Sequence, residues 1–361
     1  MIKESIAKAV KREDLTQSEM EETMEEIMTG RATPAQIGAF ITAMRMKGET
    51  VDEITGAARV MRAKAKKIYI NNHAVNLDRD EINADEETIL DVVGTGGDGT
   101  RTFNVSTTTA FVAAGAGLKV AKHGNRAVSS LCGSADVLEN LGVKLDVSHH
   151  EIERCIQDIG IGFLFAPHFH SAMKYAASPR QETGIRSIFN LLGPLTNPAG
   201  ANVQILGVYA PELTEKMAHV LCKLGTREAL VVCGEGTFDE ISICGATKLS
   251  HLKHGEVRTY HMTPEEYGFS RAKTEDIRGG NAKDNARIVR DILDGEKGPK
   301  RDMVLLNGAS AFMVAGLDGD MKEGLERAKD SIDSGRARAK LDALIHFTQQ
   351  CRPFERRALL Q

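Results

Sequence analysis

Apolar residues recur at helical spacing three times in the first 67 residues. Met20, Met24, Ile27 and Met28 follow a Thr16-x-x-Glu19 capping pair and stop at Gly30. Ile37, Phe40, Ile41 and Met44 follow Thr33-Pro34, with the proline at the first helical position, and stop at Gly48. Thr50 and Glu53 open a third such segment. Three amphipathic helices without strands predict a small helical unit whose apolar faces must be covered. After a polar stretch at 71–87 the pattern changes. Short apolar or β-branched runs at 89–93, 118–121, 203–209 and 228–233 predict strands, and 161–167 reads as a strand or a buried turn. Between them, 108–114, 132–142, 151–160, 171–179 and 211–224 read as helices. Alternating strand and helix predicts an α/β unit with a central, mainly parallel sheet. Residues 180–198 read as an irregular path fixed by two Gly and two Pro, and 260–269 as a connection. Helices are expected at 281–293, 307–316, 321–329 and 334–346, with an apolar run at 303–306.

The first strand empties into Gly94-Thr-Gly96-Gly97-Asp98-Gly99, four glycines in six positions, and a helix follows. Such a turn lets backbone N–H groups face a ligand, and the helix start adds unpaired donors, so the composition fits an anion such as phosphate. A tight turn without chemistry uses the same residues. The spacing is not Gly-x-Gly-x-x-Gly and no Gly-Lys-Ser/Thr follows, which argues against dinucleotide binding and a P-loop. Asp98 and Ser106 beside a phosphate cradle call for a cation, and oxygen donors suit magnesium. A second strand likewise empties into Lys122-His123-Gly124-Asn125-Arg126-Ala127-Val128-Ser129-Ser130, followed by Ser134. Parallel strands joined by a helix bring both turns to one sheet edge, where α/β ligand sites form. A third turn carries adjacent carboxylates, Asp239 and Glu240, as a further part of a magnesium site.

Charged residues make up 27% of the 361, with a net charge of −4 and no dominant basic block, so nucleic acid is not favoured as a partner. A charged N-terminus without an apolar run, and the lack of any 18-residue apolar stretch, lead to the expectation of a cytoplasmic chain that spans no membrane. Six scattered cysteines without a Cys-x-x-Cys pair read as small buried apolar residues rather than zinc ligands or disulfides. The pairs His149-His150 and His168-Phe-His170 lack the ligand sets of a metal centre.

Taken together, Gly94-Thr-Gly-Gly-Asp98, Asn104-Val-Ser-Thr107, the 122–130 segment, Gly133-Ser-Ala-Asp136, the 180–198 segment with Phe189-Asn-Leu-Leu-Gly-Pro-Leu-Thr-Asn-Pro198, and Asp239-Glu240 resemble the anthranilate phosphoribosyltransferase family over nearly the whole chain. The resemblance implies the fold shared by pyrimidine nucleoside phosphorylases and the third phosphoribosyltransferase class. It divides the chain into a helical domain, 1–70, joined by helices from about 160–185, and an α/β domain, 71–361. It implies a pentosyltransferase of tryptophan biosynthesis, moving the phosphoribosyl group of phosphoribosyl pyrophosphate (PRPP) to the amine of anthranilate with magnesium as cofactor, and a homodimer formed through the helical domain. PRPP would be held by Gly94, Gly97, Asp98, Thr102, Asn104, Val105, Ser106, Thr107, Lys122, His123, Gly124, Asn125, Arg126, Ala127, Val128, Ser129, Ser130 and Ser134. Anthranilate would be held by Gly94, Asn125 and Arg180, the last offering a guanidinium fork to its carboxylate. Magnesium would be held by Ser106, Asp239 and Glu240. Lys122 and Asn125 would stabilise and position, with no residue acting covalently, because the amine is neutral at pH 7 and needs no strong base; inversion at C1 is expected.

Two departures stand out from the family pattern. The 71–87 connection is long and acidic, and Thr183-Gly184-Ile-Arg186-Ser187 replaces Leu-Gly-x-Arg-Thr. A nucleoside phosphorylase would share the fold, and a silent relative binding nucleic acid would require a basic surface and lost magnesium ligands.

Overall fold

Three capping boxes set the N-terminal helices. Thr16, Thr33 and Thr50 each accept a backbone N–H three residues on, and Glu19, Gln36 and Glu53 reach back to the cap, giving α2 (Gln17–Met28), α3 (Pro34–Lys47) and α4 (Val51–Lys64). A fourth helix, α1 (Ile2–Val10), precedes them and buries Ile2, Ser5 and Ala9; its apolar face is too short to stand out in the sequence. Lys47 ties the group together, donating to Asp14 at 2.6 Å and to the fully buried Glu53 at 2.9 Å. The computed structural model describes residues 1–70, 87–97, 99–127 and 131–352; Asp98, Val128, Ser129, Ser130 and most of the acidic 71–87 connection lie outside the described residues.

The sheet has seven strands in the order β3-β2-β1-β4-β5-β6-β7. Strands β1 (Ile89–Gly94), β2 (Lys119–Gly124), β3 (Ile161–Phe165), β4 (Val203–Gly207) and β5 (Glu228–Gly234) are parallel, as their alternation with helices predicts. The 260–269 connection expected from the sequence begins only after Met262, with one 3₁₀ turn at Pro264–Tyr267, and the two strands before it are unexpected. Strands β6 (Thr247–Lys253) and β7 (Glu256–Met262) make an antiparallel hairpin on the sheet edge. Its turn is His254-Gly255, both with positive φ (51° and 79°), the geometry of a tight two-residue hairpin.

The 180–198 stretch is also more regular than expected. Lys174–Thr183 is helical through Pro179, and Ile188–Leu192 and a 3₁₀ turn, Gly193–Leu195, follow. Met303–Leu306 and the segment after it form one helix, Pro299–Val314, buried along most of its length. One apolar cluster joins Met20, Phe40 and Ile54 of the helical unit to Ala176, Ile188 and Leu206, so the N-terminal helices share a core with one face of the sheet.

Strand order reverses between β1 and β4, which is where open α/β sheets leave a crevice. Strands β1, β2, β4 and β5 all end on glycine, at Gly94, Gly124, Gly207 and Gly234, along this one edge.

Candidate active site

Gly94 and Gly207 are register partners at the reversal. The loop that carries Asp239 packs over both: a Cβ on Gly94 would lie 2.3 Å from Asp239 Oδ2, and one on Gly207 would lie 1.5 Å from its carbonyl oxygen. The two glycines are therefore what lets the acidic doublet reach the edge of β1, and Gly207 is a site residue the sequence did not single out. Gly96, Gly97 and Gly99 adopt φ of 66°, 70° and 78°, turning the loop's amides in directions closed to most side chains.

The acidic doublet meets the first turn through charge-assisted hydrogen bonds. Gly96 N–H donates to Asp239 Oδ2 at 2.7 Å, and Ser106 N–H donates to Glu240 Oε1 at 3.1 Å. Ser106 lies in the first turn of α5 (Val105–Gly115), so Glu240 sits at the positive end of that helix. Lys122 crosses from β2, donating to the Val92 carbonyl at 2.7 Å and to Ser106 Oγ at 3.3 Å. Burial pulls its ammonium below the usual lysine range, while Asp91, Glu240 and Asp239 pull it back up. Asp91, fully buried in β1, is pushed up to about 6 by desolvation, with Lys122 opposing, and its Oδ1 accepts the His123 N–H at 3.3 Å. Neither Asp91 nor the Val92 carbonyl was legible as part of the site, because a strand interior carries no motif.

The second turn closes on itself. Gly124 faces Ser134, whose Oγ donates to the Asn125 carbonyl at 3.3 Å, and Ala127 N–H and Gly133 N–H share Asp136 Oδ2 at 2.9 Å each. Arg126 pairs with Asp136 and Glu139 on α6 (Ser134–Leu141), and Asn125 is exposed. Thr102 bridges to Arg278, and Asn104 stands at the N-cap position of α5 without a side-chain cap bond, beside Asn285. Val105 and Thr107 are each 1% exposed, so their side chains are not open to a ligand. Arg180 stands apart from this set, its guanidinium stacked 5.2 Å from the Phe189 ring centroid and held below its usual range by burial.

His123 and His170 share a 3.2 Å Nε2–Nε2 hydrogen bond, a pairing the sequence did not reveal. Burial drives them down to about 3 and about 4, so both are neutral in the folded chain at pH 7. Unfolded histidines take a proton near pH 6.5, so between about 6.5 and 4 these two positions bind more protons in the unfolded chain than in the folded one, and together they outweigh the single proton that Asp91, pushed up to about 6, binds on folding in the same window. Stability is expected to fall as pH drops through that window. A series of urea midpoints against pH, run beside His170→Gln, checks this: the variant should show a flatter fall, and an identical slope would contradict it.

Comparison with known proteins gives the family and the fold. Residues 86–338 match the model of the "Glycosyl transferase family, a/b domain", and residues 3–65 match the "Glycosyl transferase family, helical bundle domain". An anthranilate phosphoribosyltransferase of Geotalea uraniireducens is 59% identical over 350 residues, 97% of this chain and 100% of that protein. The chain belongs to the anthranilate phosphoribosyltransferase family. Its fold superposes on the crystal structure of the Thermus thermophilus anthranilate phosphoribosyltransferase with a TM-score of 0.87, at 41% identity, covering 96% of this chain and 99% of that one. The Saccharomyces cerevisiae anthranilate phosphoribosyltransferase in complex with PRPP and Mg gives 0.85 at 28% identity, covering 96% and 98%. Within the anthranilate phosphoribosyltransferase family frame, the Asp239-Glu240 doublet and Ser106 offer only hard oxygen donors, a set that fits magnesium.

Proposed function

We infer that the chain transfers the phosphoribosyl group of PRPP to the amine of anthranilate, giving N-(5-phosphoribosyl)anthranilate and pyrophosphate, a step of tryptophan biosynthesis. The observation that carries this reading is the meeting of the Gly94 turn, Lys122 and the Asp239-Glu240 doublet at the β1–β4 reversal. Breaking the C1–O bond leaves a cationic ribose and a heavily charged leaving group, so the work is electrostatic. Magnesium, when held by Ser106, Asp239 and Glu240, would neutralise part of the pyrophosphate charge. Lys122 adds a buried positive charge beside it, and the positive end of α5 faces the same place. The second turn, with Asn125 and Ser134, would bind the remaining phosphate and ribose oxygens. Arg180 would take the anthranilate carboxylate, its aromatic neighbour Phe189 fixing the guanidinium plane. The amine then attacks C1 from the face opposite the leaving group, and its proton goes to solvent. Loss of anthranilate fluorescence on adding PRPP and magnesium tests the reading; phosphorolysis of thymidine instead would overturn it.

The same reading includes a homodimer through the helical domain. An apolar groove runs between α1, α3 and the Lys174–Thr183 helix, lined by Pro34, Gly38, Ala39 and Thr183, with Val10 and Met46 69% and 71% exposed at its rim. A second copy would cover it by two-fold symmetry. Light scattering should give twice the 39.2 kDa chain mass, and Ala39→Glu should give the single-chain mass; a monomeric unmodified chain would contradict this. Among the described residues no helix is long and apolar enough to cross a membrane. A cytoplasmic place goes with this reading, since PRPP and its product are too charged to cross a bilayer unaided.

A further inference from the structure

The PRPP turn is held from behind by a segment far along the chain. Residues 277–285 lie along 101–104: Thr102 and Arg278 form an antiparallel bridge, Gly279 N–H donates to the Arg101 carbonyl at 2.9 Å, and Phe103 N–H to the Ile277 carbonyl at 3.4 Å. At the end of this strap stands Asn285, in the first turn of the Ala282–Leu293 helix and 2% exposed. Its Oδ1 accepts the Gly280 N–H at 2.8 Å, and its Nδ2 donates to Asn104 Oδ1 at 2.9 Å. Asn104 Nδ2 in turn donates to the Cys132 carbonyl at 3.4 Å. A backbone donor at one end and a backbone acceptor at the other leave the two carboxamides only one orientation each. The Asn104 amide keeps one N–H and one lone pair for a ligand.

We propose that Asn285 is a positioning residue for PRPP: it fixes which end of the Asn104 carboxamide faces the substrate and ties that choice to the strap. The proposal rests on the assignment of Asn104 to PRPP. Asn285→Ser removes the carboxamide donor and leaves Asn104 oriented only by its long 3.4 Å bond to the Cys132 carbonyl. Asn285→Asp keeps the acceptor for Gly280 N–H but sets a carboxylate oxygen against Asn104 Oδ1, and since turning over would set that Oδ1 against the Cys132 carbonyl instead, the repulsion displaces the Asn104 carboxamide from its place.

The test is a cycle of Asn104→Ala, Asn285→Ser and the double variant, with KM for PRPP and for anthranilate read separately beside the unfolding midpoint. Asn285→Ser should raise KM for PRPP about tenfold, the scale of one misplaced hydrogen bond to an anion, and leave KM for anthranilate within about twofold. The double variant should be no worse than Asn104→Ala alone. Asn285→Asp should exceed Asn285→Ser in its effect on PRPP, and carries the same test if the serine variant folds poorly. A merely structural role would lower the midpoint and leave KM for PRPP in place, or multiply with Asn104→Ala; either result overturns the proposal. If Asn104→Ala itself leaves KM for PRPP unchanged, the assignment of Asn104 fails, and the Asn285 role falls with it for that distinct reason.

Discussion

Replacing Asp239 by Asn together with Glu240 by Gln is expected to lower kcat/KM by about a hundredfold or more, with the loss deepest at low magnesium. The substitutions keep shape and acceptor oxygens: the new amides can still take the Gly96 and Ser106 N–H groups that the carboxylates take now. What disappears is two negative charges. The cation then loses its hard anionic ligands, and Lys122 loses two of the three groups that hold its proton against burial. The two effects have the same sign, because a neutral Lys122 no longer offsets the charge of the leaving group. Initial rates across a magnesium titration, with the unfolding midpoint as a control, check the expectation. A magnesium profile like that of the unmodified chain would remove the doublet from the site.

Arg180→Ala should raise KM for anthranilate by roughly ten- to a hundredfold while KM for PRPP stays near its original value, the range set by loss of a charge-assisted bidentate pair. Arg180 is held against Phe189 and depressed by burial, and a partly desolvated guanidinium gains more from a carboxylate than an exposed one does. Arg180→Lys should recover only part of the loss, since a point charge cannot reproduce the fork. Equal changes in both KM values would indicate that the helix Lys174–Thr183 had moved; an unchanged anthranilate KM would reject the assignment.

Much of this was written in local sequence. The capping pairs at Thr16, Thr33 and Thr50 mark helix starts that the chain adopts, and the strand-to-glycine junctions at Gly94 and Gly124 mark the sheet edge that carries the candidate site. These signals are legible because caps and glycine turns depend on neighbours in sequence. The hairpin of β6 and β7 escaped because its stability comes from pairing with β5, and its strands intersperse charged and polar residues among the apolar ones. The 180–198 stretch reads as irregular because Pro and Gly break helices in isolation, whereas burial of Ile188, Leu191 and Leu192 holds short turns in place. Within the site, the residues that bind through backbone or act from behind were invisible: Asp91 under Lys122, Gly207 beneath Asp239, Asn285 behind Asn104. Each makes sense only once the sheet brings distant positions to one edge.

The most direct test of the account is diffraction from the chain crystallised with PRPP and manganese, which takes the same oxygen ligands as magnesium and can be located by its anomalous signal. An anomalous peak is expected at coordination distance from Asp239 or Glu240, with the pyrophosphate oxygens between that metal, Lys122 and the start of α5. A metal peak away from the doublet, or a pyrophosphate bound outside the β1–β4 crevice, would contradict it.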